Sequence, residues 1–181
     1  MAELTALESK IGEVLGLAMA AQDATRKVTK LVEQEGEHDD LAQTLQRMAQ
    51  EAKETQERTA ELAAELEGKK TAISAELAAE LEGKKTAILE KARETKQEAT
   101  EMMSTYLGDD ADALDGFEFL TMAEAGEVGH WQVVGTMNQR AQLPGLQELV
   151  EWATPIQQRH FEQTLQGSVE LAEDEDPNEP A

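Results

Sequence analysis

The stretch Leu120-Thr-Met-Ala-Glu-Ala-Gly-Glu127-Val-Gly-His130-Trp-Gln-Val-Val134 sets Leu120, Ala123, Glu127, His130 and Val134 in alternating steps of three and four. Met137 and Ala141 continue the series. Residues spaced this way share one face of a helix, and in a globular chain that face packs inward. A second series runs through Leu146, Val150, Ala153, Gln157, His160, Thr164, Gly167 and Leu171. Two polar pairs of the x-x-His kind, Glu127 with His130 and Gln157 with His160, therefore interrupt otherwise apolar stripes. A polar group buried without a partner costs ~1–3 kcal/mol, so these side chains need partners. Facing pairs of this type are how helical bundles hold metal ions.

Working outward, the same spacing predicts a first helix over about residues 3–34, with Ile11, Leu15, Ala18, Gln22, Thr25, Thr29 and Val32 inward and Gly36 ending it. A second helix follows, with Leu41, Leu45, Met48, Ala52, Thr55, Thr59, Leu62 and Leu66 on its inner stripe. Ala60-Glu-Leu-Ala-Ala-Glu-Leu-Glu-Gly-Lys-Lys-Thr-Ala-Ile73 then recurs unchanged as residues 75–88, a period of 15. Fifteen residues return a helix ~60° out of phase, so the copy cannot extend the second helix with the same face inward. It reads as a helical insert, with Gly68 and Gly83 as break points of a protruding hairpin. Ile88, Ala92, Thr95, Ala99, Met102 and Tyr106 resume a helical stripe, which Gly108-Asp-Asp-Ala-Asp112 breaks. That acidic loop lacks the Gly of a calcium loop, and its acids read as helix caps. Helices are expected over about 112–141 and 146–171, with Pro144-Gly145 as their turn. The expected organisation is one domain over 1–171, with the duplicated insert at 60–88 and an acidic, disordered tail at 172–181.

Composition agrees with an all-α chain. Only 3% of the 181 residues are aromatic and four are Pro, so the core is aliphatic and helix runs almost throughout. Sixteen Lys and Arg against 38 Asp and Glu give a formal charge of −22. Such a field repels phosphate backbones and anionic membranes and attracts cations. A solubility or high-salt adaptation explains the charge equally well. The lack of cysteine excludes disulfides, thiolate metal sites and cysteine nucleophiles. Val14-Leu-Gly-Leu-Ala-Met-Ala-Ala21 reads as ordinary helix because Glu13 interrupts it and no basic segment precedes it, which points to a cytoplasmic protein.

Met122-Ala-Glu-Ala-Gly-Glu127-Val-Gly-His130-Trp131 resembles the third helix of the ferritin-like superfamily, in particular its rubrerythrin-like and stress-response branches. Ala153-Thr-Pro-Ile-Gln157-Gln-Arg-His160-Phe161 is similar to their fourth helix, where Glu-x-x-His supplies a carboxylate and an imidazole. Met48-Ala-Gln-Glu51-Ala-Lys-Glu54 stands where the second helix carries another Glu-x-x-His, and Gln22 stands where the first carries a Glu. The resemblance implies a ferritin-like four-helix bundle whose long connection between its second and third helices holds the duplication. Its ligand set would be Glu51, Glu54, Glu127, His130 and His160, with Gln22 and Gln157 as weaker oxygen donors. It implies iron or manganese, with zinc also compatible, and oxygen or peroxide chemistry at a dinuclear or mononuclear centre in stress defence.

Each residue also has a plain structural reading. Glu127 and His130 would bond to each other in the core, Glu51 and Glu54 would be solvated, and Gln22 would be a buried amide satisfied by its neighbours. Trp131 and Phe161 read as packing, and His38 as a surface residue at the start of the second helix. The alternative function is then a metal-free bundle serving as a structural or interaction module. Its partner would be a second copy or another protein, with nucleic acid and membrane excluded.

Overall fold

Residues 4–36, 38–72, 87–176 and 178 are described by the structure, a computed structural model. They form five helices and, among the described residues, no strand: α1 (Ala6–Glu35), α2 (Asp39–Ala72), α3 (Ala87–Tyr106), α4 (Ala113–Ala141) and α5 (Pro144–Glu173). Local chemistry sets the ends. Thr5 caps α1 by accepting from the Glu8 N–H, while Glu8 accepts from the Thr5 N–H, so the helix starts after Thr5. Gly36, at φ 77°, closes it in the left-handed conformation that glycine adopts without strain. Asp112 and Asp115 make the same reciprocal box at the start of α4, so of the acids after Gly108 it is Asp112 that caps the helix.

The α4–α5 turn differs from the sequence expectation. Pro144 and Gly145 already belong to the first turn of α5, and Gln142-Leu143 makes the connection. Proline suits the first helical position, where its missing N–H is not needed. Asn138 holds the turn: buried in α4, its side chain accepts from the Leu143 N–H and donates to the Leu143 carbonyl, both at 3.1 Å. In α2, helix runs through Gly68, so the break expected there does not occur. The second break point, Gly83, and residues 73–86 of the duplication lie outside the described residues, as do 177 and 179–181 of the tail.

Pairs of facing residues give the topology. Val28 of α1 meets Gly116 of α4, while Glu13 lies near His130, so α1 and α4 are antiparallel. Glu51 of α2 meets His160 of α5 and Leu62 meets Gly145, so these too are antiparallel. Packing of α1 on α2, α2 on α5, α5 on α4 and α4 on α1 closes a four-helix ring in which α2 and α4 run the same way. The chain therefore has to travel back along the bundle between them, and α3 does so. It lies outside the ring and parallel to α1, with Gly12 beside Lys91, Gly16 beside Thr95, and Lys27 Nζ donating to the Leu107 carbonyl at 2.6 Å. The part of the connection from residue 87 onward is laid against the bundle, while most of the insert expected to form a protruding hairpin lies outside the described residues.

Two apolar clusters fill the interior. Val28, Leu41, Leu45, Phe117 and Leu120 pack at one end. Ile11, Val14, Trp131, Val134 and Leu146 pack at the other. Between them lies a polar middle: Gln22 and Thr25 of α1, Thr55 of α2, Glu124 and Glu127 of α4, and Gln157, His160 and Thr164 of α5 are all buried. The threonines Thr25 and Thr55 bond to carbonyls one turn back in their own helices. The carboxylates, amides and imidazole have no such local solution; Glu51 and Glu124 face His160, and Gln22 bonds to Gln56.

Candidate functional site

His160 is the centre of this layer, 1% exposed. Its Nε2 lies 2.7 Å from Glu51 Oε2 of α2, and its Nδ1 lies 3.6 Å from Glu124 Oε2 of α4, just beyond hydrogen-bond length. Arg159 reaches the other Glu51 oxygen at 2.7 Å. Glu127 follows Glu124 by one helical turn and is 3% exposed. Side chains of three helices thus meet at one imidazole that faces two carboxyl groups, with Glu127 one helical turn from the second.

The charges follow from these neighbours. Burial alone would raise the Glu51 carboxyl, but the hydrogen bonds and charges of His160 and Arg159 outweigh it and hold it below its ordinary value. For His160, burial opposes the charged form, while Glu124 and Glu51 favour it more strongly, so the imidazole is raised and carries its proton between them. Glu127 has no cation beside it. Burial first, and repulsion from Glu124 second, push it well above 4.5. Three buried acceptors here, Glu124 Oε2, Glu127 Oε2 and Gln157 Oε1, find no hydrogen-bond partner among the described residues. Such atoms are uncommon in folded proteins and each needs an explanation.

The residues singled out from sequence divide into two groups. Glu51, Glu127, His160 and Gln157 belong to the polar layer, and Gln22 is buried beside it with its amide donating to Gln56. Glu54 and His130 make their contacts elsewhere. Glu54 accepts from Arg58 at 2.6 and 3.0 Å on the surface, where Arg58 stacks on Trp152. His130 is 37% exposed; its Nδ1 donates to the Gly126 carbonyl and its Nε2 sits 3.4 Å from Glu13 Oε2 of α1. It does not share a contact with His160. His38, read as a surface residue, is only 15% exposed and ties the start of α2 to Glu170 and Asp174 at the end of α5.

Glu124 is the functional candidate that the stripe reading passes over. The inner face of α4 is Phe117, Leu120, Glu124, Glu127, Trp131, Val134 and Asn138, all buried. This series has the same alternating spacing and shares Leu120, Glu127 and Val134 with the stripe through His130. The available signal was bulk: one register buries Phe117 and Trp131, the other Ala123 and His130. Larger apolar groups gain more from burial, so the first register wins.

As the side chains stand, no group of three or more His, Cys, Asp or Glu among the described residues is arranged to hold a metal ion. Nor is any described helix long and apolar enough to cross a membrane. Comparison with protein-family models, with curated proteins and with solved structures finds no match for this chain.

Proposed function

We propose that this bundle is a ferritin-like metal-binding protein that takes one divalent ion, iron or manganese, among Glu51, Glu124, Glu127 and His160. The observation that carries the reading is a buried imidazole facing Glu51 and Glu124, with Glu127 buried one helical turn from Glu124 and its Oε2 without a hydrogen-bond partner among the described residues. His160 already faces Glu124, but Glu127 has no cation; a divalent ion would satisfy Glu124 and Glu127 together and remove the repulsion between them. The connectivity supports the same reading. Two antiparallel pairs joined by a crossover along the bundle, with polar residues at mid-length, is the layout in which ferritin-like proteins build their centres. With Glu54 and His130 engaged elsewhere and Gln at positions 22 and 157, the donor set suits one ion better than two. Carboxylates and imidazole are ligands of iron and manganese, and such an ion would supply redox capacity toward dioxygen or peroxide.

Binding would displace the proton held on Glu127 and the one shared by His160 with its carboxylates, so ion uptake should release protons and weaken as pH falls. Calorimetric titration of chelator-cleared protein with ferrous, manganous and zinc ions tests the proposal. One saturable site, lost in His160→Ala, is expected; no binding by any of the three ions rejects it.

A second reading has its own observation: both ring nitrogens of His160 already face carboxylates. A metal-free bundle would use this charged network to fix the register of α2, α4 and α5, leaving the protein an interaction module. Metal-free protein from its native host, with melting unchanged by chelator, is the outcome that favours this second reading.

A further inference from the structure

Because α3 leans on α1 and barely touches α4, a cleft of about 240 Å³ remains between the three helices. Its walls are apolar, formed among others by Ala20, Ala99, Met103 and Leu120, and its lining includes Glu124 and Glu127. At its rim Met102 and Met122 are 58% and 45% exposed. Two buried carboxyl groups, one of them Glu127 with an oxygen that has no hydrogen-bond partner among the described residues, therefore belong to the lining of an apolar opening in the surface.

We propose that this cleft binds a small apolar molecule bearing one hydrogen-bond-donating head group, a hydroxyl or an amine, with the head at Glu127 and the apolar body against Ala20, Ala99 and Met103. Size limits the body. A cavity of ~150 Å³ accepts benzene, so about 240 Å³ admits roughly ten non-hydrogen atoms. The walls set its chemistry, since an apolar surface gains by excluding water. The head is set by the Glu127 carboxyl, which has no hydrogen-bond partner among the described residues and, protonated or not, offers an oxygen that can accept. A carboxylate head would bring a further negative charge beside Glu124 in a chain of formal charge −22, and is repelled. Exposed methionines at the rim suit the role, because their flexible thioethers adapt to the shape that enters. The inference is separate from metal binding: it needs only the cleft and its oxygens, and is tested with chelator present.

The test is calorimetric titration of the full chain with 2-phenylethanol, 2-phenylethylamine, 3-phenylpropionate and ethylbenzene. The alcohol or the amine should bind one to one, at least tenfold more tightly than either the carboxylate or the hydrocarbon. Two variants locate the site, each checked for cooperative melting by circular dichroism. Ala99→Phe fills the cleft. Glu127→Leu replaces a partnerless buried carboxyl by carbon and retains the fold. Both should lower the affinity tenfold or more. Absence of saturable binding, equal affinity for all four compounds, or wild-type affinity in either folded variant overturns the proposal.

Discussion

Replacing Glu127 by Gln should make the metal-free protein more stable at neutral pH, contrary to the usual effect of changing a buried residue. In the folded chain this carboxyl is raised well above 4.5 by burial and by Glu124, so it keeps its proton where the unfolded chain has released it. The sign follows directly: its contribution to stability is complete below 4.5 and is lost as pH rises toward the folded value. Each pH unit in that window weakens folding by up to tenfold, which sets a ceiling of about 3 kcal/mol at pH 7. Gln has nearly the same shape and no proton to lose. Urea denaturation from pH 4.5 to 8, with chelator present, should give superimposed midpoints at the acid end and a growing advantage for Glu127→Gln toward neutrality. For a chain of this size each kcal/mol moves the melting temperature by ~2–4 °C. Equal pH dependence in both proteins, or lower stability of the variant at pH 7, would refute the assignment of Glu127 as a buried carboxyl without a cation. The same substitution should weaken metal binding, so stability and affinity are expected to move in opposite directions.

Other expectations concern packing and the choice of ligands. A Cβ at Gly167 would run into the ring of Phe117, so Gly167→Ala should cost ~1–3 kcal/mol in urea denaturation. Phe117→Leu in the same chain should recover part of the loss, because the two residues touch. Gly129, inside α4, has open space where its Cβ would lie, and Gly129→Ala should gain ~1 kcal/mol from helix propensity alone. His130→Ala should leave ion affinity unchanged and shift stability by no more than about 0.5 kcal/mol, since its contacts are a helix carbonyl and a half-exposed ion pair.

Much of this architecture could be read from residue spacing. Ile11 to Val32 and Leu41 to Thr59 are buried as their periodicity requires, and Gly36 and Asp112 end and begin helices for the expected reasons. The series from Ala153 to Leu171 also faces inward, which brought His160 and Gln157 to the right place. Spacing failed in α4, where two registers with the same period differ only in which large side chains they bury. Periodicity could not separate them, and the weight of Phe117 and Trp131 decides. Glu54 was lost to Arg58 for a different reason: an acid with a cation four residues on stays at the surface with it. Position along a helix says little about which neighbouring element will supply a partner. The contact between Glu51 and His160, 109 residues apart, was legible only through the resemblance of each segment to a ferritin-like helix.

Manganous-ion titration of chelator-cleared protein, run in parallel on wild type, Glu124→Gln and His130→Ala, tests the central claim most directly. One equivalent should bind to wild type and to His130→Ala with equal affinity, and Glu124→Gln should weaken binding tenfold or more. A wild type that takes up no ion, or loss of binding on removing the His130 ring while Glu124→Gln binds normally, would contradict a centre built around the imidazole of α5.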